Sequence, residues 1–393
     1  MTSQVHDLVR VAPGETYPLL GVKWYAEGPF LREVVTSETS KATRFFRVQP
    51  GQFIYNRLFA WKGSFGLVSD ELAGSYVSNE FPLFDCDRSR LLPQFLNLYF
   101  GQPSLWSYVE RVSTGTTASR SRWKEAQFNE LKLALPSVAE QRRIVDIMAV
   151  VDAQIETVAE EMARSRALLS RLNSDVVGGL PDSRVLGDIT ATRSGPSYAA
   201  ADVHPTPCPG SVPMIGIPNT KPDGSLDLTD IGHVVGLPES VGKIDESSLV
   251  LIRTNGNRQR IGNVYLPPAG AHGHVVSAFQ FLMKVKNPAD REFVYWLLRE
   301  PSMQRSMSEA ASGTTGLGNL AVRWLNAVHI PWSEDPAERA RVVAPLRSMQ
   351  YSIDASNEEL AQLRAFRSAL LASLLEQEVE IPESYDRLFE GVS

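Results

Sequence analysis

Apolar residues recur in alternating steps of four and three along residues 139–177. This spacing is the heptad pattern of a helix that packs lengthwise against another helix. Only Ser165 interrupts the series, and Ser137 before it and Gly178 after it are typical of a helix start and a helix stop. The pattern therefore predicts a helix of about 39 residues, or about 58 Å. The apolar positions are Ile144, Met148, Val151, Ile155, Val158, Met162, Leu169, Leu172 and Val176.

A second heptad pattern lies near the C-terminus, 198 residues after the first. Residues 337–343 (AERARVV) repeat residues 139–145 (AEQRRIV). Two unrelated amphipathic helices could agree in phase, but here the phase and the local string coincide at one offset, which favours a repeat. Pro345 lies inside the second pattern and should kink the helix or mark its start. Eight of the ten positions in this pattern are apolar: Val342, Leu346, Met349, Ile353, Ser356, Leu360, Leu363, Arg367, Leu370 and Leu374.

Each predicted helix follows a region of mixed character. In the first region, short β-prone stretches alternate with Gly and Pro turns, a buried helix is expected from Pro93, and residues 131–135 are predicted as a strand. The second region repeats the first at the same offset, with Gly115-Thr-Thr matching Gly313-Thr-Thr and Pro103 matching Pro301.

These patterns predict an α+β fold with two similar mixed α/β domains, separated by two long helices that form an antiparallel coiled-coil spacer. The helices should be antiparallel because the second domain begins at the far end of the first helix. We expect the acidic tail to be loosely packed or bound by a partner. The expected segments are a first domain at residues 1–135, helices at 136–178 and 335–378, a second domain at 181–332, and the tail at 379–393.

The composition, with 43% hydrophobic and 21% charged residues, is that of an ordinary globular protein. No apolar run approaches the roughly 18 residues of a membrane span, and the first ten residues do not form a signal peptide, so no membrane association is expected. The two cysteines, Cys86 and Cys208, form no C-x-x-C pair. This cysteine usage predicts a reducing, cytoplasmic location and argues against a structural zinc site.

The net charge of −6 is unevenly distributed. Residues 1–135 contain 15 Lys and Arg against 13 Asp and Glu, and residues 181–332 contain 13 of each. The helices and the tail therefore carry the acidic excess. The two domains are close to neutral, so that any binding of nucleic acid must depend on local patches.

The succession of mixed domain, long helix, mixed domain and long helix resembles the specificity subunit of type I restriction–modification enzymes. Residues 135–145 (LPSVAEQRRIV) are very like that family's domain-to-helix junction, and both Gly-Thr-Thr strings fit it. Residues 53–57 (FIYNR) and 61–66 (WKGSFG) also look like the family's target recognition domain. The resemblance spans nearly the whole chain, but the second junction, at residues 330–339 (IPWSEDPAER), departs from the usual string.

The resemblance implies two target recognition domains at opposite ends of a helical spacer, each reading one half of a bipartite site in double-stranded DNA. It implies that the helices dock methyltransferase (modification) subunits, which bring S-adenosylmethionine. A restriction/translocase subunit that uses ATP and Mg would join through the complex, which serves phage defence. The chain itself is then expected to be non-catalytic and to hold no cofactor or metal. In agreement, the sequence contains no GxxxxGK[ST], no GxGxxG after a strand and no Asn-Pro-Pro-aromatic string.

Lys, Arg and hydroxyl groups hold DNA phosphates, whereas Arg, Asn and Gln can read bases in a bidentate manner. In the second domain, the polar loop at residues 254–260 follows a strand and is the richer candidate, although an ordinary Asn-Gly turn is the alternative. Solvated loop charges are the alternative for the first domain. The candidates are Arg57, Lys62, Ser64, Arg120, Arg122 and Lys124 in the first domain, and Asn255, Asn257, Arg258, Gln259 and Arg260 in the second.

Two further features are weaker candidates, and a third, a set of aromatic residues, is expected to be structural. The hydroxyls of Thr116 and Thr117, and of Thr314 and Thr315, could contact phosphate, or could belong to a turn with a hydroxyl cap. His272, two residues before another histidine, fits a DNA-facing or solvated loop better than a metal site. The aromatic residues Trp24, Tyr25, Trp106 and Trp324 are expected in the core, because duplex readout does not need stacking platforms.

The sequence therefore predicts a DNA sequence-recognition subunit of a type I complex. One alternative is the specificity subunit of a system in which a single partner both methylates and cuts. Another is a coiled-coil protein scaffold that does not bind DNA, which the near-neutral charge of the domains would suit.

Overall fold

The computed structural model describes residues 1–115, 121–313 and 316–388. The chain divides into two compact units. Unit 1 comprises Met1–Ala159 and Glu358–Ser393, and unit 2 comprises Glu160–Asn357. None of the helices in the described residues has an apolar stretch that could cross a membrane.

Unit 1 contains two sheets. The four-stranded sheet has the order β1-β9-β6-β7, and the five-stranded sheet has the order β2-β5-β8-β3-β4. All neighbouring pairs are antiparallel except β3 and β8. The strands are β1 Thr2–Val5, β2 Leu8–Arg10, β3 Thr16–Val22, β4 Pro29–Thr36, β5 Arg44–Arg47, β6 Phe53–Tyr55, β7 Phe65–Leu67, β8 Tyr76–Val77 and β9 Leu83–Cys86.

Helices pack on the four-stranded sheet through an aromatic core. Proline at the first position starts two of them, where its missing N–H costs no hydrogen bond. Phe53 of β6, Phe65 of β7, Phe100 and Phe128 are buried together with Trp123. These helices are α1 Pro93–Phe100, α2 Pro103–Val112 and α3 Glu125–Glu130, and the long helix α4 Val138–Gly178 follows.

Unit 2 also contains two main sheets, and both are four-stranded. Their orders are β11-β19-β15-β17 and β12-β14-β13-β18. Two short antiparallel pairs, β10 with β21 and β16 with β20, complete its strands. The strands are β10 Asp182–Val185, β11 Thr190–Ser194, β12 Val203–His204, β13 Val212–Ile215, β14 Gly232–Val234, β15 Ser248–Ile252, β16 Thr254–Asn255, β17 Val264–Tyr265, β18 Val275–Val276, β19 Gln280–Val285, β20 Gly318–Asn319 and β21 His329–Trp332.

The helices of unit 2 follow the plan of unit 1. Two consecutive helices again follow the last strand of a sheet, and Glu300 caps the second of them by accepting hydrogen bonds from the N–H groups of Ser302 and Met303. The helices are α5 Leu186–Ile189, α6 Arg291–Arg299, α7 Pro301–Glu309, α8 Val322–Ala327 and the long helix α9 Pro336–Leu375.

The long helices run antiparallel in each unit. In unit 1, Ile144 and Met148 near the start of α4 share a core with Leu371 and Leu374 near the end of α9. In unit 2, the end of α4 packs against the beginning of α9, and the shared core includes Leu169, Val177, Leu346 and Ile353. All predicted heptad positions are buried or half-buried. The predicted fold class, with two mixed α/β domains and an antiparallel pair of long helices, is confirmed.

Three local expectations are corrected. Helix α9 begins at Pro336 and continues through the exposed Pro345, so Pro345 does not mark the helix start. Residues 131–135 form no strand, since the corresponding β21 of unit 2 pairs with β10, and no such partner strand lies beside them in the described residues. Residues 379–388 of the tail pack onto their unit: Ile381 is buried in the unit 1 core, and Arg143 forms an ion pair with Asp386 at 2.7 Å.

Candidate nucleic-acid interface

The same strand–turn–strand framework carries the main candidates in both domains. In unit 1, β6 leads through a 3-10 turn at Ala60–Lys62 to Gly63 and β7. In unit 2, β15 leads through a 3-10 turn at Arg258–Arg260 to Gly262 and β17. We call these the first and the second recognition turn.

Both recognition turns end in a glycine for the same two reasons. Gly63 and Gly262 have φ values of 73° and 86°, a region that side chains disfavour. A Cβ at Gly63 would also lie 2.5 Å from the ring of Trp106 on α2, and a Cβ at Gly262 would lie 2.5 Å from Met307 on α7. The glycines thus let each turn pack directly on a helix, which makes the turns rigid supports for the side chains they carry.

In unit 2, the structure brings together two candidate motifs that are far apart in the sequence. Thr254 and Asn255 of β16 pair with Asn319 and Gly318 of β20. Arg258 donates a hydrogen bond from Nη2 to the carbonyl oxygen of Gly313 at 3.0 Å. The second recognition turn therefore lies beside Gly313, the first residue of the Gly-Thr-Thr motif.

The polar side chains of this loop divide into two groups. Asn255 Oδ1 accepts a hydrogen bond from the N–H of Asn257, and Asn257 Oδ1 accepts one from the N–H of Gln259, so that both oxygens shape the loop. Arg260 is half-buried and donates to the carbonyl oxygen of Thr220. Arg258 and Gln259 are exposed, and they are the side chains best placed for contact with a ligand.

In unit 1, three candidates have partners within the domain. Arg57 forms an ion pair with Glu125 and also donates to the carbonyl oxygen of Asn79. Arg122 forms a bidentate ion pair with Glu80, with N–O distances of 3.0 and 3.1 Å. Ser64 is completely buried and donates to the carbonyl oxygen of Val22 at 2.7 Å. The location of Ser64 removes the support for its contact with phosphate.

These ion pairs also shift the pKa values of Glu125 and Arg122. Burial raises the pKa of Glu125, but the hydrogen bonds and the charge of Arg57 outweigh it and hold the pKa below its ordinary value. The hydrogen bonds and the charge of Glu80 raise the pKa of Arg122. The Glu125 carboxylate is therefore ionised at neutral pH and offsets the positive charge of Arg57.

Two lysines of unit 1 are differently placed. Lys124 is exposed and precedes α3. Lys62, in the first recognition turn, has its Nζ atom 3.7 Å from the ring centroid of Trp24 and 4.9 Å from that of Trp61, a cation–π arrangement. The first recognition turn thus presents a cation held by aromatic rings, where the second presents Arg258 and Gln259.

Thr116, Thr117, Arg120, Thr314 and Thr315 lie outside the described residues. The residues that flank the two Gly-Thr-Thr motifs are paired, since Thr114 forms a β-bridge with Arg122 and Ser312 forms one with Asn319.

His272 is exposed and follows a 3-10 turn at Ala269–Ala271, outside the second recognition turn. Within residues 1–115, 121–313 and 316–388, no group of three or more His, Cys, Asp and Glu side chains is arranged to hold a metal ion.

The expectation that the four aromatic residues belong to the core is wrong for two of them. Trp24 and Tyr25 are 40% and 63% exposed, at the tip of the hairpin formed by β3 and β4. Trp106 and Trp324 are half-buried and pack against their cores. The apolar character of Trp24 and Tyr25 suggested burial, but Gly28 shortly afterwards was a signal for a turn.

Comparisons with known proteins give one family and one fold. Residues 2–163 match the model of the family described as type I restriction modification DNA specificity domain. No curated protein sequence matches the chain.

Two solved structures share the fold over almost their whole length. One comes from work on the complex assembly and conformational transition of the type I R-M system, with 15% identity, a TM-score of 0.56, and coverage of 95% of this chain and 97% of that one. The other is the type I restriction–modification S subunit from M. genitalium, with 14% identity, a TM-score of 0.51, and coverage of 95% and 96%. Residues 2–163 thus match a type I restriction modification DNA specificity domain, and the chain as a whole shares the fold of these two structures.

Proposed function

We propose that the chain is the non-catalytic DNA-recognition subunit of a cytoplasmic type I restriction–modification complex. Each domain would read one half of a bipartite site in double-stranded DNA. The observation that carries this proposal is the repeated framework: two recognition turns have the same backbone support but different side chains. Two domains that read different half-sites need the same backbone support and different side chains at the contact positions.

The proposed contacts follow from exposure and from internal partners. In the first domain, Lys62 and Lys124 would contact phosphates, while Arg57, Ser64 and Arg122 support the loops. In the second domain, Arg258 and Gln259 would read bases, and Asn255, Asn257 and Arg260 would shape the turn. The hydroxyls of the Gly-Thr-Thr motifs, Arg120 and His272 stay predicted contacts.

The partners are proposed from the family. The antiparallel helices would dock methyltransferase subunits, which bind S-adenosylmethionine. A restriction/translocase subunit, which uses ATP and Mg, would join the same complex. A partner that both methylates and cuts is the alternative architecture, and the recognition chemistry proposed for this chain is the same in both.

Domain exchange tests the proposal. Residues 181–332 are replaced by the second domain of another family member, and methylated sites are mapped in cells that express the chimera with the methyltransferase partner. One half of the methylated sequence should change, and the other half should stay that of the parent. A change in both halves, or in neither, would contradict independent reading.

Salt dependence separates this function from a protein scaffold. Real phosphate contacts release counterions, so that DNA affinity should fall steeply between about 50 and 200 mM salt. A scaffold would show no site-specific affinity at any salt concentration.

A further inference from the structure

Trp24 and Tyr25 form an exposed aromatic surface at the end of the β3–β4 hairpin, which we call the aromatic tip. Tyr25, at 63%, is more exposed than most large apolar residues of the described chain. Tyr25 and Ala26 also have φ values of 58° and 57°, in the left-handed region. A tyrosine in this conformation is strained, whereas Asn or Gly would adopt it more easily.

The fold alone does not account for this tyrosine. Among the described residues, the other non-glycine with positive φ is Gln377, which follows the end of α9, where this conformation commonly closes a helix. The aromatic tip has two such residues in succession and ends no helix. Because the ring of Tyr25 is exposed, its burial contributes little free energy to offset the backbone strain. Strain that the fold does not offset in this way indicates a functional constraint.

The aromatic tip is held against the first recognition turn. The N–H of Tyr25 donates to the carbonyl oxygen of Lys62 at 2.8 Å, and the N–H of Ala26 donates to that of Gly63 at 2.7 Å. The ring of Trp24 lies under Lys62 and 5.5 Å from the ring of Phe59, between centroids. The ring of Tyr25 lies 6.0 Å from that of Trp106. The tip and the turn are therefore one rigid surface.

The chemistry of this surface identifies the class of its ligand. It combines a fixed ammonium group with adjacent exposed aromatic rings, and duplex DNA offers the complement: phosphates beside apolar sugars and base edges, including the thymine methyl. We propose that the aromatic tip is a DNA contact of the first domain, with Tyr25 against base edges and Lys62 on a neighbouring phosphate. This inference rests on the proposed function.

Tyr25→Asn is the decisive variant. Asn accepts a left-handed backbone, so the substitution removes the ring while relieving the strain, and the melting temperature should stay the same or rise. Affinity for a labelled duplex carrying the mapped methylation site should nevertheless fall by about tenfold, or about 1.4 kcal/mol. Affinity for a scrambled duplex should fall much less. Leu31→Asn on β4, where the leucine is also exposed, is the matched control and should leave both affinities unchanged.

Lys62→Gln tests the charged half of the surface. Loss of one phosphate contact should weaken binding to both duplexes and lower the salt dependence by about one unit of log–log slope. Unchanged affinities in Tyr25→Asn and in Lys62→Gln would overturn the inference.

A second outcome would also overturn the inference: the variants assemble less well with the methyltransferase, but the complex that does form binds DNA as tightly as that of the parent. The tip would then be a protein interface. If the parent chain itself fails to distinguish the two duplexes, the proposed function fails rather than this inference.

Discussion

The two recognition turns share a support and differ in chemistry. The first has the sequence Ala-Trp-Lys, with its cation held over aromatic rings, and the second has Arg-Gln-Arg, with Arg258 bonded to the backbone of Gly313. Each turn ends in a left-handed glycine packed on a helix. The comparison teaches that glycine is retained where a side chain would collide with the helix, whereas the three residues of each turn before it differ.

The junctions to the long helices show the same division between retained position and altered chemistry. Gln141 and Arg339 occupy matching places in the repeat, and both are buried. Gln141 bonds to the backbone of Arg90, Leu92 and Pro136, whereas Arg339 forms an ion pair with Asp290. One domain is thus fastened to its helix by a neutral amide and the other by a charge.

The largest effect is expected from Arg339→Ala. Its Nε atom lies 2.8 Å from Asp290 Oδ1, and its Nη1 donates to the carbonyl oxygen of Ser333. Removal of the guanidinium leaves the half-buried Asp290 without its charged partner, which should lower the free energy of unfolding by up to about 3–5 kcal/mol. Denaturant unfolding measures the change. Arg341→Ala, an exposed arginine on the same helix, should cost about 0–1 kcal/mol; equal losses in both variants would show that the buried pair is not stabilising.

Gln141→Ala should have a smaller effect than Arg339→Ala. The substitution leaves backbone groups without partners but no charge, so that we expect a loss of about 1–3 kcal/mol in the free energy of unfolding. The same denaturant experiment applies, with the exposed Gln154→Ala on α4 as the control. A loss as large as that of Arg339→Ala would show that the charged junction contributes no more stability than the neutral amide.

Arg258→Ala should affect DNA recognition rather than stability. If Arg258 reads a base, binding to the cognate duplex should weaken by about 1–3 kcal/mol, with a much smaller loss on scrambled DNA. Equilibrium binding to the two duplexes measures this, with Arg341→Ala as the control of equal charge. An equal loss on both duplexes would reassign Arg258 to a phosphate.

The smallest effect concerns the acid stability that the Arg57–Glu125 pair gives to the first domain. Because Arg57 holds the pKa of Glu125 below its ordinary value in the folded chain, this pair stabilises the fold fully above about pH 4.3, the ordinary value for Glu. The stabilisation is lost as the pH falls through the lowered pKa. Glu125→Gln should therefore flatten the pH dependence of unfolding in this range. An unchanged profile would contradict the shift. The second domain has Asn255 at the place of Arg57, so this ion pair has no counterpart there.

The sequence by itself determined the architecture. The heptad spacing predicted both long helices because a buried stripe along a helix must recur every three or four residues. The offset of 198 residues predicted that one domain plan occurs twice, and the polar loop at residues 254–260 pointed to the second recognition turn.

Only the tertiary structure decided which side chains are available. Ser64 is buried and Arg57 is paired with a glutamate 68 residues away, which local sequence cannot reveal because long-range partners set burial and charge pairing. Trp24 and Tyr25 were expected in the core from their apolar character. Their exposure follows from a left-handed hairpin tip fastened to the first recognition turn, and that conformation depends on contacts between distant parts of the chain.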